Sequence, residues 1–381
     1  MRVLFWSETF WPRVGGVENL AARLLPALQE RGYEFAVVTW EDLPSPEQSV
    51  YRGIPVYRLP FFLSRQERGF NLIMKQRCHV TEIKRQFAPE LVHINSYGRS
   101  VLFHLNTVAT HPAPALMTLH QPLGNEPVAS DSLLGHLFRT VDWVNTCSDS
   151  VLSQARELLP EIVSRSCVIR NALEPSRYKP QPLPFDPPQL LCIGRLVPEK
   201  GFDTALTAFA AVTKHFPKAR LAMVGDGPQR QNLIEQEMKL GLGSSVQFYG
   251  TVAPEKIAER INEATLVLVP SRLEGFGLVA LEAALMARPV VAMNVGGLPE
   301  IVRHHHTGLL VEPENSLALA EAVICLLRNP DTALQMGQAA RLRAQEVFNW
   351  QTHVNAYDDL YQKLATERRN RNDPTRNPFP V

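Results

Sequence analysis

Short apolar runs rich in valine, isoleucine and leucine recur along almost the whole chain, each followed by a longer segment of helical period. Strands that read as unbroken apolar runs are buried on both faces, which requires parallel sheets covered by helices. The expected fold class is therefore α/β, with doubly wound parallel sheets. In the first half the strand candidates are 2–7, 35–40, 54–59, 91–96, 114–120, 142–147 and 166–171. The pattern restarts at 189–194, 220–225, 245–250, 265–270 and 289–294. Between the two series, KPQPLPFDPP places five prolines in ten residues, a density that neither a helix nor a central strand tolerates. A chain of 381 residues also exceeds the size at which one core keeps growing. The expected organisation is a first domain over 1–180, a linker over 181–188, a second domain over 189–350, and a helix and tail over 351–381 packing back on the first domain.

Composition narrows the function. A formal net charge of +1 disfavours bulk nucleic-acid binding. The five cysteines are unclustered and form no CxxC, which suits reduced thiols better than disulfides or zinc. The apolar run after Arg2 is too short for a signal peptide, and no run of 18 apolar residues occurs, so a cytoplasmic location is expected.

In open α/β sheets ligands bind outside the carboxyl ends of the strands, so chemistry is sought where a strand closes or the next helix opens. EGFGLVALE (274–282) follows a strand directly. Its helix is expected to begin near Gly277, where the unpaired amides of Phe276, Gly277 and Leu278 suit a phosphate. Glu274 precedes that terminus, and Glu282 lies about 7 to 8 Å further along the axis. The pair could flank a phosphate, with a sugar on one side and a ribose on the other; either carboxylate alone could equally be a helix-terminal or solvated residue. In GRLVPEKG (194–201), Arg195 and Lys200 could neutralise a diphosphate without a metal, or be an ordinary charged loop. Gly15 and Gly16 precede a helix near Val17 and offer a second anion-binding terminus, although GxGxxG is absent. His120 closes the strand 114–120, where it could hydrogen-bond a substrate hydroxyl or stay structural. The run His304–His306 has the wrong geometry for a metal ion. GDGP (225–228) reads as backbone geometry, and GGLPE (296–300) either touches ligand or shapes the edge.

GRLVPEKG, VGDGP, VQFYG, VPSRLEGFGLVALEA, PVVAMNVGGLPEIV and TGLLVEP, in this order and spacing, resemble family 4 of the retaining GT-B glycosyltransferases. GGVE, the strand ending at His120 and VIRNALEPSRYKP extend the resemblance into the first domain. It implies two Rossmann-like domains facing across a cleft. It further implies that Arg195 and Lys200 hold a donor diphosphate, Glu282 the ribose, and Glu274 the transferred sugar with the amides of Phe276, Gly277 and Leu278. Gly15 and Gly16 would lie at the phosphates, and His120 near the reacting carbon. The implied donor is a nucleotide-sugar, UDP-sugar first and GDP-sugar next; the acceptor is a hydroxyl of a sugar or lipid-linked sugar. No cofactor and no metal are implied. The chain departs from the family at Gln121, where Asp is usual, and at Ala287, where Gly is usual.

Between 58 and 85 seven basic residues (Arg58, Arg65, Arg68, Lys75, Arg77, Lys84 and Arg85) interleave with Phe61, Phe62, Leu63, Phe70, Leu72, Ile73 and Met74. This stretch could contact an anionic membrane at the cytoplasmic face, or be a helix with its cations in solvent. The competing functions are a sugar-nucleotide epimerase on the same fold and a catalytically silent sugar-nucleotide-binding protein. A nicotinamide oxidoreductase is disfavoured by the missing glycine fingerprint.

Overall fold

The computed structural model of the chain describes residues 1–40, 48–61, 70–124, 128–129 and 132–372. It divides into two compact units, Met1–Ile169 with the segment from Gln351 onward, and Arg170–Trp350.

The first unit contains β1 (Arg2–Ser7), α1 (Gly16–Gln29), β2 (Glu34–Trp40), β3 (Gln48–Tyr51), β4 (Ile54–Leu59), α2 (Phe70–Phe87), β5 (Leu91–Ile94), α3 (Val101–Leu105), β6 (Ala115–Leu119), α4 (Leu133–Thr140), β7 (Trp143–Thr146), α5 (Asp149–Leu158) and β8 (Ser166–Val168). The sheet order is β3-β4-β2-β1-β5-β6-β7-β8. All neighbours are parallel except β3 and β4. Val3 to Trp6 are fully buried in the central β1, as a strand covered on both faces requires. The order reverses at β1, which puts the switch point between β1 and β5.

The second unit contains β9 (Gln189–Ile193), α6 (Phe202–His215), β10 (Arg220–Val224), α7 (Arg230–Lys239), β11 (Val246–Gly250), α8 (Pro254–Asn262), β12 (Leu266–Val269), α9 (Leu278–Leu285), β13 (Val290–Met293), α10 (Leu298–Ile301), β14 (Gly308–Val311), α11 (Ser316–Arg328) and α12 (Pro330–Val347). Its parallel sheet runs β11-β10-β9-β12-β13-β14. The core packs Leu206 and Phe209 of α6 with Leu221, Leu266 and Val291 of the sheet. β9 and β12 are adjacent although they are far apart in sequence, so the loops that leave them must be neighbours.

The final helix, α13 (Trp350–Asn372), closes the first unit. Its Tyr357 and Tyr361 are buried. Tyr361 Oη lies 2.5 Å from His93 Nδ1, and His93 Nε2 lies 2.7 Å from Thr118 Oγ1. Thr118 donates to Asn145 Oδ1 at 2.5 Å, and Asn145 Nδ2 donates to Tyr357 Oη at 3.2 Å. Arg31 and Tyr33 both bond Asp358 from outside this row. Buried polar groups so paired favour a single docking register for the helix.

Several expectations change. The strand β3 was not anticipated: it forms a hairpin with β4 through Arg52 and Gly53, both at positive φ (48° and 83°). That is the type I′ geometry, with arginine where Asn, Asp or Gly usually signals it. β14 was read only as a motif and is a four-residue edge strand. The proline-rich run lies inside the second unit: Gln181 N donates to Asn262 Oδ1, Thr265 Oγ1 to Pro184 O, and the buried Arg288 to Gln181 O. The seven cations of 58–85 do not share one surface. Arg58 and Lys84 are buried, the first donating to Trp11 O and the second to His104 O. Lys75, Arg77 and Arg85 are exposed on α2, while Phe62, Leu63, Arg65 and Arg68 lie outside the described residues. Burial lowers the pKa of Lys84 to about 7.

Ala287, where glycine was expected, has φ +53°. A left-handed alanine costs about 1–2 kcal/mol, partly offset by the entropy that glycine loses on folding, about 0.5–1 kcal/mol. Ala287→Gly is therefore expected to raise unfolding stability by about 0.5–1 kcal/mol in denaturant titration. No gain, or a loss, would show that the surroundings relieve the strain.

Candidate functional site

The loop leaving β9 (194–201) and the loop leaving β12 (270–277) meet at the carboxyl edge of the second sheet. Gly201 has φ +63°, and a Cβ there would stand 2.0 Å from Pro270 O, so this approach admits only glycine. Arg272 N donates to Glu199 O at 2.8 Å and stitches the loops together. Arg272 also clasps Asp203 with both guanidinium nitrogens, at 2.8 and 2.7 Å. Those hydrogen bonds hold the Asp203 carboxyl below its ordinary pKa.

At this junction Lys200 Nζ lies 2.6 Å from Glu274 Oε2, which also accepts from Ser271 Oγ at 3.1 Å. Residues read as a phosphate cation and a sugar-binding carboxylate thus face each other directly. The hollow around them, lined by Ile193, Lys200, Ser271, Glu274 and Val279, encloses about 20 Å³, room for one water molecule.

Beyond Glu274 the chain turns into α9. Gly277 is its N-cap at φ +104°, and no side chain caps the helix. The first intrahelical bond is Leu281 N to Gly277 O, so the amides of Leu278, Val279 and Ala280 precede any intrahelical acceptor. Phe276 offers this edge only backbone: its ring is 2% exposed and stands edge-on to Phe348 at 5.5 Å. Gly296 explains GGLPE. With φ +53°, a Cβ would sit 1.8 Å from Glu274 O, and Gly297 N donates to that same oxygen at 3.1 Å. GGLPE therefore buttresses the turn that carries Glu274. Glu282 lies on α9 with Oε1 3.4 Å from Tyr178 Oη. Arg195 is exposed, with no ion pair among the described residues.

The first unit holds the other candidates. Gly15 is the N-cap of α1 and Gly16 its first residue. Glu18 folds back over this terminus, its Oε2 2.2 Å from where a Gly15 Cβ would stand, and Thr9 Oγ1 donates to Glu18 Oε1 at 2.7 Å. An incoming anion would therefore meet a carboxylate as well as the amides. His120 follows β6, its Nε2 3.0 Å from Asn95 Oδ1 and its Nδ1 enclosed without a hydrogen-bond partner among the described residues. Burial first, and then the neighbouring His353, lower its pKa to about 4, so the ring is neutral at pH 7.

Residues 14–177 match the model of Glycosyltransferase Family 4, and residues 176–343 match that of Glycosyl transferases group 1. The chain belongs to glycosyltransferase family 4. A glycogen synthase of Mycobacterium tuberculosis is 34% identical over 250 residues, 64% of this chain and 59% of that protein. The chain thus spans less than two thirds of that relative's length. Sucrose-phosphate synthase from Thermosynechococcus elongatus superposes with a TM-score of 0.80 at 24% identity, covering 96% of this chain and 99% of that one. Anabaena HepE in complex with UDP-glucose gives 0.78 at 22% identity, covering 95% and 100%. Both likenesses support the GT-B fold of two Rossmann-like units.

Within this family 4 chain, reading from sequence missed Tyr178, Ser271 and Asn95, which touch Glu282, Glu274 and His120. Tyr178 lies in a segment read as the approach to a linker, and serine and asparagine carry no pattern of their own in a strand-end loop. Of the three histidines after α10, the rings of His304 and His305 lie 3.9 Å apart, and His304 Nδ1 accepts from Leu310 N at 3.0 Å, within the turn.

Proposed function

We propose that the chain is a retaining hexosyltransferase that moves a sugar from a nucleotide-sugar to a hydroxyl of a sugar or lipid-linked sugar, in glycan, polysaccharide or glycolipid synthesis. UDP-sugar is the first expected donor and GDP-sugar the next. The observation that carries this reading is the Lys200–Glu274 pair beside the uncapped N-terminus of α9. A diphosphate placed there would take Lys200, Arg195 and the α9 amides as its counter-charges, which stabilise a departing phosphate as a metal ion does elsewhere. Lys200 exchanging from Glu274 to phosphate would release the carboxylate to accept hydroxyls of the transferred sugar. Glu282, one helical stretch away, is then placed for the ribose. In the front-face displacement we favour, the acceptor oxygen bonds the anomeric carbon on the side the phosphate leaves. The departing phosphate oxygen takes the bonding pair and then the acceptor's proton.

A thermal-shift panel of UDP, GDP and ADP with their glucose or mannose derivatives tests the reading. The matching nucleotide at 100-fold over its Kd should stabilise by about 2.7 kcal/mol, a rise of a few degrees. A flat response across the panel would contradict it.

A further inference from the structure

In the first unit β5 and β6 are parallel neighbours, with Ile94 opposite Met117. On one face of this pair two polar cross-strand contacts follow each other, two residues apart on each chain segment. The first, His93 Nε2 with Thr118 Oγ1, belongs to the row that docks α13, and every side-chain nitrogen and oxygen of that row has a partner. The second, one step nearer the carboxyl ends of the strands, is Asn95 Oδ1 with His120 Nε2 at 3.0 Å. Here the pairing is incomplete: Asn95 Nδ2 and His120 Nδ1 are both enclosed and without a hydrogen-bond partner among the described residues. Asn95 is 3% exposed, and its backbone amide donates to Trp6 O at 2.8 Å, which ties it to the central strand. An enclosed polar atom left unpaired costs about 1–3 kcal/mol, so two of them in one contacting pair, at the ligand-binding edge of a sheet, call for a functional reason.

We propose that Asn95 is a positioning residue for His120: its side-chain oxygen accepts from Nε2–H and fixes the ring in the neutral tautomer that leaves the lone pair on Nδ1. This rests on the reading of His120 as a residue that contacts the donor sugar. Burial keeps the ring neutral at pH 7, but neutrality alone leaves the proton free to sit on either nitrogen. Asn95 removes that choice, since a proton on Nδ1 would set the Nε2 lone pair against those of Oδ1. Turning the amide over would pair Nδ2–H with Nε2 and move the proton to Nδ1, so the two orientations give different tautomers. As placed, the pair holds one unused acceptor, Nδ1, and one unused donor, Nδ2. That is the complement of a hydroxyl, which donates to the first and accepts from the second. A sugar hydroxyl held so meets an uncharged ring, which places no positive charge beside a developing oxocarbenium centre.

The test uses the full chain with 15N-labelled histidine, read by long-range proton–nitrogen correlation at pH 7, with His120 assigned from the signal lost in His120→Gln. The unsubstituted chain should show His120 as one neutral tautomer with its proton on Nε2. Asn95→Leu, which keeps the bulk and removes the oxygen, should show both tautomers. Asn95→Asp should show protons on both ring nitrogens, because a carboxylate favours the imidazolium. Tyr357→Phe, which cuts the neighbouring row at Asn145, should lower the melting temperature and leave the His120 signals in place. In turnover of UDP-glucose, Asn95→Leu should lower kcat roughly tenfold with KM within about twofold. The inference is overturned if the unsubstituted chain carries the proton on Nδ1 or exchanges it between the nitrogens, if Asn95→Leu keeps the parental signals, or if Tyr357→Phe disturbs them equally. Should Asn95→Leu fail to fold, Asn95→Asp decides: an unchanged neutral ring there overturns it. UDP-glucose should also move the Nδ1 signal of the unsubstituted chain where UDP alone does not; bound UDP-glucose that leaves it unmoved would overturn the sugar contact. The spectra without ligand decide the role of Asn95 even if no UDP-sugar binds.

Discussion

Glu274→Gln is expected to lower transfer by roughly a hundredfold while leaving the Kd of free UDP within about threefold, or tighter. The asymmetry follows from the ion pair. Glu274 neutralises Lys200 at 2.6 Å, so its removal releases a cation for the diphosphate while deleting the group meant for the sugar. Glu282→Gln should do the reverse. A charge-assisted hydrogen bond to a ribose hydroxyl is worth about 1.5–3 kcal/mol, so UDP affinity should fall roughly tenfold to a hundredfold. Calorimetric titration of UDP into both variants, alongside initial rates, separates the two roles. Equal loss of UDP affinity in both would mean that the carboxylates are assigned wrongly.

Ending the chain after Asn349 should abolish folding of the first unit. Without α13, the partners of Val354, Tyr357, Leu360, Tyr361 and Leu364 become exposed; all five are buried in the intact chain. At about 1.5–3 kcal/mol per large side chain the loss is on the order of 10 kcal/mol, comparable with the whole stability of a domain. His93 and Asn145 would also lose partners from α13, each at about 1–3 kcal/mol. Scanning calorimetry should show the transition of the second unit alone. A first-unit transition within a few degrees of that in the full chain would show that the helix is an accessory.

The sheets were legible because central parallel strands such as β1 and β12 are unbroken apolar runs. The edges were not. β3 (QSVY) buries none of its residues and turns through an arginine at positive φ, and β14 is a four-residue run that begins with a glycine, so neither shows the apolar pattern that marks a strand. At the candidate site, charge and glycine spacing pointed to Lys200, Glu274 and the start of α9. What sequence does not encode locally is that β9 and β12 are neighbours, and this adjacency makes Lys200 and Glu274 partners. It also hid the work of the glycines: Gly201 and Gly296 admit neighbouring backbone, and for GGLPE the sequence left ligand contact and edge-shaping open. The return of α13 to the first unit was expected, but its partners were not: Tyr357 and Tyr361 meet Asn145 and His93 only after the chain has traversed the second unit.

Titration of UDP into the unsubstituted chain and into the Arg195→Ala, Lys200→Ala double variant, at two salt concentrations, examines the diphosphate site most directly. The expected result is one UDP per chain, weakened at least a hundredfold in the double variant, with a shallower salt dependence, while uridine binds both proteins alike. UDP binding of equal strength in the two proteins would contradict a diphosphate held at the junction of the β9 and β12 loops.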